Sequence, residues 1–194
     1  MHIPASIAVF CGSRHGTDPV MAEAATALGG HLAQAGIRLV YGGGGVGLMG
    51  VIARAVLAAG GEVIGVIPQN LARRELMLEG LTEMRVVGSM HDRKRTMFEL
   101  SEGFVSLPGG IGTLDETVEV ITWRQMSIHD HPIILVDIAG YWQAFVAFMQ
   151  QAHQEGFAYA HDRQLYKLVP SVEDVIPALS QAHEPTVPAS PDLT

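Results

Sequence analysis

Apolar runs of four to six residues alternate along the chain with longer segments whose apolar positions recur at three- and four-residue spacing. The short runs read as strands: Ser6 to Phe10, Ile37 to Tyr41, Glu62 to Ile67, Met84 to Val87, Gly103 to Leu107, Ile133 to Asp137 and Tyr166 to Val169. Between them the spacing predicts helices over Pro19 to Gln34, from the glycine run 42–50 to Gly60-Gly61, and over Ser89 to Ser101, Leu114 to Ser127, Tyr141 to Glu155 and Val172 to Ala182. Ser89 with Asp92 three residues on is a helix-start signature. Gln69 to Thr82 is more polar and reads as partly helical. Strands that alternate with helices and are apolar on both faces imply an α/β fold, a parallel sheet covered on each side. Such sheets bind ligands at the carboxyl ends of their strands, and all three glycine-bearing turns fall at that edge. From Glu184 the sequence E-P-T-V-P-A-S-P-D-L-T lacks a packing pattern and reads as a disordered tail, leaving one domain over residues 1–183.

Composition narrows the partners. The 194 residues carry a formal charge of −8, which argues against a nucleic-acid polymer, because such binding rests on a basic surface. A small anion remains compatible. Lys94 and Lys167 are the only lysines, so most cations are arginines suited to bidentate contact with phosphate or carboxylate. Cys11 is the only cysteine and fits a reducing compartment. There is no leader pattern and no apolar run of membrane-spanning length, so a cytoplasmic protein is expected.

The stretch Leu107 to Glu116, L-P-G-G-I-G-T-L-D-E, concentrates the candidate chemistry. Glycines admit a ligand close to the backbone, and the free N–H groups at a helix start attract anions. Thr113 and Glu116 fit T-x-x-E, a structural cap in one reading and, with Glu119 one turn on, a ligand-facing acid in the other. A carboxylate at the positive end of the helix is expected to stay ionised. On the preceding helix Met90, Arg93 and Met97 share a face, which would turn Arg93 toward the same crevice. Glu75, after Arg73 and Arg74, reads equally as a surface ion pair.

Other motifs are weaker. Gly42, Gly44 and Gly47 satisfy G-x-G-x-x-G, yet the following strand ends in Ile67-Pro68-Gln69 without the acid that would hold a ribose. The Walker pattern fails for want of a glycine followed by lysine. His129 and His131 lack an evident third metal ligand. Ser13, in G-S-R-H-G, reads as a turn hydroxyl near a phosphate rather than a hydrolase nucleophile.

M-H-D-R-K from Met90, P-G-G-I-G-T-L-D-E from Pro108 and I-T-W-R-Q from Ile121 together resemble the LONELY GUY (LOG) family, the cytokinin riboside 5′-monophosphate phosphoribohydrolases, often labelled lysine decarboxylases. The similarity runs from about Ser6 to Ala182 and includes C-G-S, G-L-M-G, V-I-P and E-G-F. The resemblance implies a Rossmann-like, doubly wound single domain that cleaves the N-glycosidic bond of an adenine nucleotide, giving free base and ribose 5-phosphate. It implies Arg93 and Glu116 as the catalytic pair, and Glu75, Lys94, Gly110, Ile111, Gly112, Thr113 and Thr122 as substrate-binding positions. Ser13 and Met97 join the substrate-binding set by their place in the pattern. The resemblance further implies a homodimer, a small nucleotide (AMP or N6-modified AMP) as partner, and no metal or organic cofactor. Arg14, Ile111, Asp115 and His131 stand where the family pattern has serine, tyrosine, glutamate and lysine. Two other readings compete: a non-catalytic nucleotide-binding module, and a decarboxylase that would need a lysine for pyridoxal phosphate.

Overall fold

The structure, a computed structural model, describes residues 3–72 and 77–181. Arg73, Arg74, Glu75 and the expected tail from Glu184 lie outside the described residues. Seven strands, β1 (Ser6–Phe10), β2 (Arg38–Tyr41), β3 (Val63–Pro68), β4 (Glu83–Val87), β5 (Phe104–Ser106), β6 (Ile133–Val136) and β7 (Lys167–Val169), form one sheet in the order β4-β3-β2-β1-β5-β6-β7. Every pairing is parallel. The helices are α1 (Val20–Gln34), α2 (Gly47–Ala58), α3 (Gln69–Ala72), α4 (Met90–Glu99), α5 (Ile111–Gln125), α6 (Gln143–Gln154) and α7 (Val175–Gln181). None of them is long and apolar enough to cross a membrane.

The apolar runs within the strands explain the layering. Successive side chains of β1 alternate between faces, so Ile7 and Val9 enter one core while Ala8 and Phe10 enter the other. The first core is closed by Leu28 and Leu32 of α1, Ile52 and Val56 of α2 and Leu179 of α7. Met97 of α4 and Val120 and Ile121 of α5 close the second. With helices on both faces, every strand residue of β1, β3 and β6 is buried. A polar face on any of these strands would leave desolvated groups without partners.

From β1 the chain walks outward to β4, then returns beside β1 to lay down β5, β6 and β7 in the other direction. The carboxyl ends of β1 and β5 therefore flank the switch point, where diverging connections leave a crevice. Two backbone bonds tie the rims together: Leu107 N–H to Phe10 O at 2.9 Å and Gly12 N–H to Pro108 O at 3.1 Å.

Helix starts differ from the pattern in an instructive way. Ser89 caps α4 as its spacing predicts, its hydroxyl accepting from Asp92 N–H at 3.1 Å and donating to Asp92 Oδ2 at 2.7 Å. In α5 the expected Thr113 cap is not formed. Gly110 is the extended cap residue, and Thr113 is buried inside the first turn. The reason is packing: a Cβ on Gly109 would lie 2.1 Å from Thr113 Oγ1, so the threonine fills the space that the glycine leaves. The helix thus begins three residues before Leu114, and Glu116 falls in its second turn rather than its first.

Candidate active site

Above the switch point lies a cavity of about 630 Å³, within the range of small-molecule sites. The β1–α1 loop, Gly42 after β2, the first residues of α4 and the 108–113 turn supply its walls. Arg93 and Glu116 meet in it, Nη1 to Oε1 at 3.5 Å, with side chains 11% and 9% exposed.

Arg93 is held by backbone. Its Nε donates to Val66 O at 3.2 Å and its Nη2 to Gly42 O at 3.4 Å, carbonyls from β3 and from the residue after β2. These bonds fix the guanidinium across the strand ends. Glycine at 42 leaves room for this arrangement, because a Cβ there would lie 1.9 Å from Arg93 Nη2 and would have to displace it.

Glu116 is the less satisfied partner. Its Oε1 is buried without a hydrogen bond among the described residues, although the Arg93 charge is at ion-pair distance. Burial raises its pKa above the ordinary carboxylate value; the Arg93 charge opposes this, Asp115 adds to it, Lys94 opposes it and Glu119 adds to it. Glu116 falls in the second turn, away from the helix end that was expected to favour its ionised form, and desolvation works against its charge. Cys11 also lines the cavity, with its thiol pKa pushed up by burial and by Glu116 against the opposing Arg93 charge.

The 108–113 turn offers donors. Its first helical bond is Leu114 N–H to Gly110 O at 3.0 Å, so the N–H groups of residues 110 to 113 precede it and none donates to a described residue. Pro108 O is engaged by Gly12 N–H, and Gly109 O by the Tyr141 hydroxyl.

Ser13, Arg93, Gly110, Ile111, Gly112, Thr113 and Glu116 all line this one cavity. Three expected binding residues do not. Met97, one turn beyond Arg93 on α4, is 1% exposed and packs in the second core. Lys94 turns away to Asp115 Oδ2 at 3.1 Å and Glu119 Oε1 at 3.0 Å. Burial works against its charge, but the two acids outweigh that and raise its pKa. Thr122 donates to Val118 O at 2.8 Å within α5. Glu75 lies outside the described residues. Of the departures from the family pattern, Arg14, Ile111 and Asp115 line the cavity. His131 stacks on His129 in a cluster with Phe98 and Phe104, away from it. Tyr141 escaped sequence reasoning, since it matters only through a partner distant in the chain, and Gly42, noted as part of a glycine-bearing turn, meets Arg93 only in the fold.

A family described as "Possible lysine decarboxylase" matches residues 49–179. The probable cytokinin riboside 5′-monophosphate phosphoribohydrolase LOGL5 of Oryza sativa subsp. japonica is 46% identical over 175 residues, covering 90% of this chain and 71% of that protein. The cytokinin riboside 5′-monophosphate phosphoribohydrolase LOG4 of Arabidopsis thaliana is 44% identical over 175 residues, covering 90% and 81%. The chain belongs to the LOG family. Solved structures carry the same fold into remoter proteins. The Moco carrier protein of Chlamydomonas reinhardtii matches with a TM-score of 0.70 at 22% identity over 91% of this chain and 96% of that one. The molybdenum cofactor binding protein of Rippkaea orientalis matches at 0.69 and 21%, over 93% and 98%. At those identities the likeness is one of fold.

The decarboxylase description does not fit this LOG-family site. A pyridoxal Schiff base needs a free lysine facing the cavity. Lys94 is held between two carboxylates, and Lys167 Nζ bonds Gln181 Oε1 at 3.1 Å beside β7.

Proposed function

We propose that this chain hydrolyses the N-glycosidic bond of an adenosine 5′-monophosphate, plain or N6-modified, releasing the base and ribose 5-phosphate. The observation that carries the reading is the convergence of Arg93 and Glu116 on one cavity beside the unengaged N–H groups at the start of α5. The phosphate sits on those N–H groups, with the Ser13 hydroxyl on the facing loop. Arg93, anchored on two carbonyls, stands between the phosphate and the glutamate.

Departure of the base builds positive charge on the ribose. An ionised Glu116, short of hydrogen bonds, stabilises that charge and takes a proton from the attacking water. The water oxygen bonds to C1′, the C1′–N9 bond breaks, and the proton passes to the departing base. A carboxyl with a raised pKa is suited to taking a proton and giving it back. Lys94 serves this reading by neutralising Asp115 and Glu119 beside the glutamate.

Incubation with AMP and with N6-isopentenyl AMP, following free base and ribose 5-phosphate, tests the proposal. Release in proportion to enzyme is expected; recovery of both nucleotides unchanged overturns it. Arg93→Ala and Glu116→Ala are expected to fold and to lose about a hundredfold to ten-thousandfold in kcat.

We also propose that the chain works as a homodimer. Ile111 and Val118 on the outer side of α5, with Met126 and Ile128 just beyond it, are exposed at 83%, 40%, 57% and 58%, an apolar set suited to a second copy. Sedimentation at a dimer mass is expected, and a monomer at micromolar concentration would exclude it.

A further inference from the structure

The corner between β6 and α6 is unusually constrained for a connection that carries none of the residues assigned a role above. Ala139 has φ 51°, left-handed for a residue with a side chain, and Gly140 follows at φ 74°. Asp137 closes the corner, its carboxylate accepting from Trp142 N–H at 2.7 Å and from the Gln143 amide. Trp142 is 3% exposed and pins the end of the corner. The product of this arrangement is the direction of one side chain. Tyr141 leaves the corner, lines the cavity and donates its hydroxyl to Gly109 O, 32 residues earlier in the chain.

Gly109 and Gly110 flank the peptide most free to rotate in the whole turn, because neither residue has a side chain to restrict its dihedrals. In a trans peptide the carbonyl and the following N–H point in opposite directions. A bond that fixes Gly109 O therefore fixes the direction of Gly110 N–H. The adjoining carbonyl, Pro108 O, is already held by Gly12 N–H. With both restrained, the Gly110 N–H, which donates to no described residue, keeps one fixed direction in the turn that lines the cavity.

We propose that Tyr141 is a positioning residue whose hydroxyl locks the Gly109-Gly110 peptide in its anion-receiving orientation. The inference rests on the reading above that the turn takes the substrate's phosphate. Its signature is selective: affinity for the phosphorylated half of the substrate depends on the hydroxyl, and affinity for the base does not.

The test compares wild type with Tyr141→Phe, which removes one oxygen from a side chain that is 44% exposed. Calorimetric affinities for ribose 5-phosphate and for adenine are measured beside KM and kcat on AMP. Loss of one hydrogen bond predicts ribose 5-phosphate affinity and KM both weakened about threefold to tenfold, with adenine affinity unchanged. Asp137→Ala, which loosens the corner and leaves the phenol in place, is expected to move the same two quantities in the same direction. Unchanged ribose 5-phosphate affinity in Tyr141→Phe overturns the inference, as does equal weakening of adenine. A wild type that fails to bind ribose 5-phosphate overturns it as well. A wild type that binds ribose 5-phosphate and releases no base defeats the hydrolase reading alone, because the calorimetric comparison still shows the selective loss.

Discussion

Gly42 has no side chain because Arg93 occupies the space one would need. The guanidinium Nη2 lies 1.9 Å from where a Cβ would be, so Gly42→Ala must push Arg93 off the carbonyls that fix it. The added methyl meets the side-chain ends of Arg93 and Met49 rather than backbone, so the expected outcome is a fall in kcat of at least tenfold with a small change in melting temperature, checked by steady-state kinetics beside thermal unfolding. A second prediction concerns Glu116. Burial raises its pKa above 4.5, and the reaction as proposed needs its ionised form, so kcat/KM must decline as pH falls at a higher pH than an ordinary carboxylate would give. A pH profile on AMP with its acid limb at 4.5 or below would contradict this. The identity of these two side chains was legible in the T-x-x-E and R-K patterns. Their chemistry was not, because the raised pKa follows from desolvation by loops that meet only in the folded chain.

At the scale of elements, the α/β alternation in the sequence located every strand, and the strand ends moved by one residue at most. The corners were less legible. The helix expected over Tyr141 to Glu155 is present as Gln143–Gln154, but the 3-10 turn over Ile138–Gly140 that precedes it was not foreseen. No local preference selects that corner: Ala139 holds an unfavourable φ because Asp137 and Trp142 hold the residues around it. Ala139→Gly removes the steric cost of the left-handed conformation and is expected to stabilise the protein by about 0.5–1 kcal/mol. Urea unfolding of the variant measures this, and a loss of stability would show that the corner carries no strain. The α5 start teaches the same point. Thr113 has the right chemistry for a cap, and the gap over Gly109 takes it instead.

For the molecule as a whole, the second core is bound together by an aromatic cluster that joins α4, β5 and the loop between α5 and β6. His129 lies against Phe98 and Phe104, with its Nε2 on Val120 O at 2.9 Å and its Nδ1 accepting from His131 N–H at 3.1 Å. That pattern requires the neutral ring with the proton on Nε2. Burial depresses its pKa from 6.5 to about 4; the Val120 bond opposes the shift, and His131 and Arg124 reinforce it. Below pH 6.5 the unfolded chain takes up a proton that the folded ring refuses, so stability present above that pH is lost as pH falls through about 4. Urea midpoints between pH 7 and 4 are expected to fall more steeply for the wild type than for His129→Gln, and parallel curves would refute it. The sequence by itself determined the layered α/β architecture, the membership of the LOG family and the glycine turn, because periodicity and short motifs are properties of neighbouring residues. Tertiary structure alone decided that Arg93 rests on the ends of two other strands, that Lys94 and Met97 leave the cavity, and that Tyr141 enters it. Those outcomes depend on which strand lies beside which at the switch point, and on the space left between their loops, quantities that no local pattern encodes.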